Sequence, residues 1–124
     1  MYKLYFDAGL REHGFVWAFV IFDDKIIVNK QRGYIKDKEV DSNAAEFYAL
    51  IYGLREAILR NITELQVYGD SQQVIYQVNN LVSTNKKMML QCKKEVRELS
   101  KEFDEIKFNW IESKDNKVAH RETR

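Results

Sequence analysis

Asp7, Glu46 and Asp70 are the residues of this 124-residue chain whose chemistry depends most on whether the fold brings them together. Taken singly, each has a plain explanation. Asp70 ends an apolar run through Leu65, Val67 and Tyr68, and a helical pattern starts at Ser71, so either residue could serve simply as a helix cap. A carboxylate at the carboxyl end of a strand also stands where open α/β sheets gather their ligands. Glu46 lies among Ala45, Phe47, Ala49 and Leu50. It either favours the helix dipole from the first turn or needs a hydrogen-bonding site or a cation, because a charge among apolar neighbours is costly. Asp7 sits in or at the end of an apolar strand. Side by side, the three would oppose one another's ionisation, and a divalent cation resolves that conflict. Carboxylate oxygens suit Mg²⁺ or Mn²⁺, and two such ions about 3.5–4 Å apart form the clamp used for in-line displacement at phosphorus.

The elements that must position these groups follow from the pattern. Tyr2 to Ala8 is nearly continuous in apolar residues and predicts a strand buried on both faces. Phe15 to Phe22 and Lys25 to Tyr34 predict two more, joined by short turns, one of them at Asp23 and Asp24, so these first three strands are antiparallel. The period then changes. Asp41 and Ser42 read as N-cap residues before a helix over Ala45 to Arg60. Glu64 to Asn79 supplies a fourth strand and a short second helix. Lys86 to Lys101 is a third helix with the apolar stripe Met89, Cys92, Val96, Leu99 and Phe103, and Glu105 to Ile111 is a fifth strand. Ser113 to Arg124 begins like a capped helix. Right-handed crossovers place strands four and five parallel to the first and beside it, which would set Asp70 next to Asp7 with the Glu46 helix crossing that point.

Composition bounds the function. The net charge is +1, so no overall field draws polyanions and any basic surface must be local. One such surface is the outer face of the third helix, where six cations (Lys86, Lys87, Lys93, Lys94, Arg97 and Lys101) face only Glu95 and Glu98. It is either a solvated face or a contact for a phosphate backbone made by Lys93, Lys94 and Arg97. The lone Cys92 excludes an internal disulfide and a cysteine zinc cluster, and fits a reducing compartment. Lys3, Asp7, Arg11 and Glu12 interrupt the start, and no apolar run reaches membrane-spanning length, so a soluble cytoplasmic protein without a membrane partner is expected. With no proline, repeat or linker, residues 1–124 are expected to form a single domain. No obligate protein partner is evident.

Four separated stretches resemble the type 1 ribonuclease H family, and in particular its compact reverse-transcriptase-like members. They are YFDAG (Tyr5 to Gly9), SNAAEFYALIYGL (Ser42 to Leu54), VYGDSQQVIYQVN (Val67 to Asn79) and NKVAH (Asn116 to His120), in the family's order and spacing. The resemblance implies a ribonuclease H-like α/β fold: a five-stranded mixed sheet in the order 3-2-1-4-5, flanked by helices. It implies two bound ions, Mg²⁺ or Mn²⁺, held by Asp7, Glu46, Asp70 and, at the fourth position, His120. The implied reaction is endonucleolytic hydrolysis of the RNA strand of an RNA/DNA hybrid by a two-metal-ion mechanism, leaving 5′-phosphate and 3′-hydroxyl ends. Gly9, Asn43, Ser71 and Gln72 fall at substrate-facing positions; the amides of Asn43 and Gln72 suit bases and 2′-hydroxyls of the hybrid's minor groove.

The sequence departs from the family in ways that bear on function. His120 stands where an aspartate is usual, and imidazole ligates Mn²⁺ more readily than Mg²⁺; the other reading is a surface histidine near a frayed end. The family's catalytic-loop histidine has no counterpart between Ile111 and Ala119, Asp41 replaces a polar threonine position, and relatives continue a helix past the point where this chain stops. These departures favour an alternative, a catalytically impaired module that binds hybrid or double-stranded RNA by shape. Asp7, Glu46 and Asp70 argue against it. A nuclease of the same fold acting on DNA is a third reading, disfavoured by Asn43 and Gln72.

Overall fold

The computed structural model describes residues 1–124. Strands β1 (Tyr2–Arg11), β2 (Gly14–Asp23) and β3 (Ile26–Ile35) form an antiparallel meander. Helix α1 (Ser42–Leu59) leads into β4 (Glu64–Gly69), then α2 (Gln72–Val78), α3 (Lys87–Ser100) and β5 (Glu105–Trp110). A short helix, α4 (Lys117–His120), lies between 3₁₀ turns at Ser113–Asp115 and Arg121–Thr123. The sheet order is β3-β2-β1-β4-β5, with β4 parallel to β1 and β5 parallel to β4. This is the topology expected from the sequence. No helix is long and apolar enough to cross a membrane.

Several boundaries move, each for a local reason. β1 runs on to Arg11 because Gly9, Leu10 and Arg11 keep pairing with Val16, Phe15 and Gly14. Asp23 belongs to β2, so the tight turn falls on Asp24 and Lys25, and Asp24 takes a left-handed φ of 52°. Most consequential is the start of α1. Asp41 is its N-cap, accepting a 2.9 Å hydrogen bond from the Ala44 amide, so the helix begins three residues earlier than its apolar pattern suggests.

The core lies between the sheet and α1. Leu4, Phe6, Phe19 and Ile21 from the sheet meet Phe47, Leu50, Ile51 and Leu54 from the helix, all fully or almost fully buried. Contact is close enough to exclude a side chain at Gly53, where a Cβ would come within 2.6 Å of Leu4 Cδ1. Helix α3 closes the layer over α1 through Met89, Cys92 and Val96, three of the stripe positions. Side chains alternate along a strand, so with Leu4 and Phe6 turned into this core, Tyr5 and Asp7 of β1 point to the other face. There Tyr5 stacks on Tyr68 at 5.0 Å, and the α4 segment covers part of the sheet.

Candidate active site

The pairing of β1 with β4 ends at Tyr5 opposite Tyr68, and two residues further along each chain segment stand Asp7, within β1, and Asp70, just past the end of β4. Their adjacency therefore follows from register. Gly69 makes it possible, because a Cβ there would stand 2.4 Å from Phe6 Cζ and force the strand ends apart. Glu46 reaches the same point from α1. Since α1 starts at Ser42, Glu46 is beyond the first turn, and its carboxylate turns to the sheet: Oε1 accepts a 2.8 Å hydrogen bond from the Ala8 amide. That contact, rather than the helix dipole, accounts for its position. Asp7 and Glu46 are only 4% and 7% exposed, and Asp70 is half-buried. One oxygen from each of the three lies within 4.8 Å of those of the others.

The groups around them hold one oxygen of each carboxylate. Asp7 Oδ2 lies 3.3 Å from the Thr123 hydroxyl, whose one hydrogen it shares with the His120 carbonyl at 2.8 Å, and it faces His120 Nδ1 at 3.0 Å. Asn116 is fully buried and donates both hydrogens of its amide nitrogen, one to Phe6 O at 2.9 Å and one to Asp70 Oδ2 at 3.2 Å. Trp110 Nε1 donates to the Asp70 carbonyl at 3.1 Å, tying the end of β5 to the same turn. Glu46 Oε2 is buried and has no hydrogen-bond partner.

Burial pushes the Glu46 carboxyl well above the usual range; Asp7 and then Asp70 push it further, and the Ala8 amide only partly opposes them. Asp70 is raised by burial and by Asp7, with Asn116 and His120 pulling the other way. A cluster of this kind is not at rest when ionised without a counter-charge. A hard divalent cation fits it on three counts: an all-oxygen donor set, converging carboxylates, and an orphaned Glu46 oxygen.

Residues 11–122 match the family model described as reverse transcriptase-like. The chain belongs to that family. Among solved structures, it is similar to ribonuclease H1 from the halophilic archaeon Halobacterium salinarum NRC-1, with 25% identity and a TM-score of 0.91 over 98% of this chain and 92% of that one. The N-terminal ribonuclease H domain of Rv2228c from Mycobacterium tuberculosis, solved as a fusion with maltose-binding protein, gives 23% identity and a TM-score of 0.91, covering 98% of this chain and 89% of that one. LC11 ribonuclease H1, isolated from compost and solved in complex with an RNA/DNA hybrid, gives 19% identity and a TM-score of 0.89 over 98% of this chain and 93% of that one. The last two likenesses speak to the fold alone. No curated protein matches the sequence.

Within this reverse transcriptase-like fold, the residues singled out from the sequence separate into groups. Asp7, Glu46 and Asp70 meet. His120 stands beside Asp7, on a segment that is not frayed: Ala119 and Thr123 are buried, and the Arg11 guanidinium donates to the Thr123 carbonyl. Ser71 is the N-cap of α2, its hydroxyl oxygen accepting from the Val74 amide at 3.3 Å, and it also lies 3.4 Å from Asn43 Oδ1. The starts of α1 and α2 thus meet beside Asp70, with Gln72 exposed as the first residue of α2. Gly9 lies two residues beyond Asp7 on β1, under the Arg11 guanidinium. Lys93 and Arg97 flank a separate shallow groove with Asn80 and Phe108, and Lys94 is exposed. Asn116 and Thr123 emerge only from the structure. Asn116 belongs to the NKVAH stretch, which marked the region without showing its task; nothing local singles out Thr123.

Proposed function

We propose that this protein is a metal-dependent ribonuclease H that hydrolyses the RNA strand of RNA/DNA hybrids by a two-metal-ion mechanism, giving 5′-phosphate and 3′-hydroxyl ends. The observation that carries this reading is the convergence of Asp7, Glu46 and Asp70 at the carboxyl ends of two parallel strands and on the helix that crosses them. Membership of the reverse transcriptase-like family and the likeness to ribonuclease H1 from Halobacterium salinarum support it. Asp7, Glu46 and Asp70 would hold Mg²⁺ or Mn²⁺, with His120 as the fourth group. Bound cations would supply electrostatic stabilisation of the phosphoryl oxygens and a more acidic water.

The protein's own contribution is arrangement. The Ala8 amide orients Glu46, Asn116 orients Asp70, and Thr123 with His120 orients Asp7. Asn43 and Gln72 offer amides to the hybrid's minor groove, and Gly9 and Ser71 line the approach. Lys93, Lys94 and Arg97 would add a salt-dependent attraction for phosphate.

A second reading, a module that binds hybrid or double-stranded RNA without cutting it, is favoured by one observation: the group beside Asp7 on the α4 segment is His120 and not a fourth carboxylate. One experiment separates the two. Labelled RNA/DNA hybrid, RNA duplex and DNA duplex are incubated with Mg²⁺ or Mn²⁺ and the ends analysed. Cleavage of the hybrid's RNA strand alone, with 5′-phosphate ends, is expected; binding of the hybrid with no cleavage under either metal would move the assignment to the binding module.

A further inference from the structure

We propose that the depression beside His120, lined by Ser113, Lys114, Lys117, Arg121 and Arg124, binds the phosphodiester backbone of the strand being cut, on one side of the scissile bond. The inference rests on the nuclease reading and extends that site.

The α4 segment is two-faced. Asn116, Ala119 and Thr123 are buried against the sheet, whereas Lys117, His120, Arg121 and Arg124 recur at the three- and four-residue spacing of one helix face and are exposed. Buried anchors on one side give the cations on the other a fixed platform. The segment's acids are sorted away from this face. Glu122 pairs with Lys30 at 3.9 Å, and Asp115 lines a different depression together with Lys3 and Lys25. Lys114 is paired with Glu112 at 3.3 Å, but Lys117, Arg121 and Arg124 have no ion-pair partner. In a protein with a net charge of +1, three unpaired cations on one short segment make a local field, not a general one.

Two features name the ligand. No hydrophobic residue lines the depression, so its wall is made of cations, a serine and an imidazole; cations spaced along one face suit a repeating anion. His120 lines it and also touches Asp7, so the depression opens where the carboxylate cluster ends. A strand whose reacting phosphate sits at the carboxylates has its neighbouring phosphates at these cations.

The test measures binding apart from catalysis. Anisotropy of a labelled RNA/DNA hybrid is followed across a salt series with divalent cations chelated. The proteins compared are wild type, Lys117→Ala/Arg121→Ala, the charge-preserving Lys117→Arg, and Lys107→Ala as a single neutralisation away from the depression, near the starting ends of β1, β4 and β5. Loss of two phosphate contacts should flatten the dependence of log affinity on log salt by about 1.4–1.8. From 50 to 200 mM salt, the wild type should then lose roughly tenfold more affinity than the double variant. Lys117→Arg should keep the wild-type slope, and Lys107→Ala should not flatten it. Hybrids carrying single neutral methylphosphonates should show the strand: substitutions in the RNA strand near the cut weaken wild-type binding and leave the double variant unaffected. An unchanged slope in the double variant, or sensitivity only to substitutions in the DNA strand, overturns this proposal while leaving the nuclease reading standing if the wild type still cuts hybrid. A wild type that neither binds nor cuts hybrid overturns both.

Discussion

Replacing Glu46 by glutamine should make the metal-free protein more stable at neutral pH while removing its response to metal. The side chain is 7% exposed, Oε2 has no hydrogen-bond partner, and Asp7 and Asp70 lie within 4.8 Å. Glutamine keeps the Oε1 acceptor for the Ala8 amide and turns an NH₂ toward the two remaining carboxylates. A buried acceptor left unpaired costs about 1–3 kcal/mol. A chain of 124 residues has a melting entropy of about 0.26 kcal/mol/K, so relief of that penalty raises Tm by about 4–12 °C. The sign with pH follows from the raised Glu46 pKa. A carboxyl that is harder to ionise in the folded state contributes stability that is complete below its unfolded pKa, near 4.5, and is lost as pH rises through the folded value. The difference between variant and wild type should therefore be small near pH 4.5 and open as pH increases. Metal narrows that difference: at ten times its dissociation constant a cation stabilises the wild type by about 1.4 kcal/mol, or about 5 °C, and the variant by much less. Differential scanning fluorimetry in chelator and in Mg²⁺ or Mn²⁺, from pH 4.5 to 8, reads all of this. A variant that melts at or below the wild type in chelator at pH 7.5 refutes the account of Glu46 as a carboxylate held against its own solvation and charge.

Three further outcomes are expected. Asp70→Asn should abolish cleavage of hybrid without loss of Tm, because the amide preserves an oxygen for Asn116 and removes a charge that burial and Asp7 oppose; full activity in that variant would take Asp70 out of the mechanism. His120→Ala should weaken metal affinity, read as the midpoint of the metal-dependent Tm rise, by about ten- to a hundredfold, whether the imidazole binds the ion or orients Asp7; an unshifted midpoint removes it from both roles. Cys92 should be inert, since burial, with Glu95 and Asp41 adding to it, pushes its thiol from 9.0 to about 11. Alkylation by iodoacetamide at pH 8 should run roughly 100-fold slower in the folded protein than in denaturant, and comparable rates would contradict the packing of α3 on α1.

What the sequence made legible was whatever repeats locally or crosses the sheet by rule. The near-continuous apolar runs of β1 and β2 and the helical stripe of α3 identify themselves, and right-handed crossovers then leave β4 no place except beside β1. The adjacency of Asp7 and Asp70 was therefore readable. The environment of Glu46 was not: Asp41 and Ser42 read as N-cap residues, but the apolar pattern of α1 starts after the helix does, and the capping bond of Asp41 is what fixes Glu46 beyond the first turn. The contacts of Asn116 and Thr123 span 110 and 116 residues to Phe6 and Asp7. Both are made by a segment of a few helical residues whose apolar signal is Val118 and Ala119 alone, too little to fix its orientation from pattern.

Those long-range contacts bear on how a site so costly in the metal-free state stays in order. Each carboxylate has one oxygen tied to the protein: Asp7 Oδ2 to Thr123 and His120, Glu46 Oε1 to the Ala8 amide, Asp70 Oδ2 to Asn116. The tying groups come from β1 and from the segment that folds over it, so the orientation is set by elements already fixed by the sheet. The other oxygen of each carboxylate makes no hydrogen bond within the protein, and that of Glu46 is buried as well. Tying all six oxygens would stabilise the fold and leave nothing for a cation to gain; tying none would let the carboxylates turn away from one another and from their mutual repulsion. One bond each removes that escape while keeping an unpaired oxygen on every member. His120 adds a contact to Asp7 without adding a further carboxylate, which gives part of the orienting task to the α4 segment. The same short segment both orients Asp7 and carries the unpaired cations of the adjoining depression.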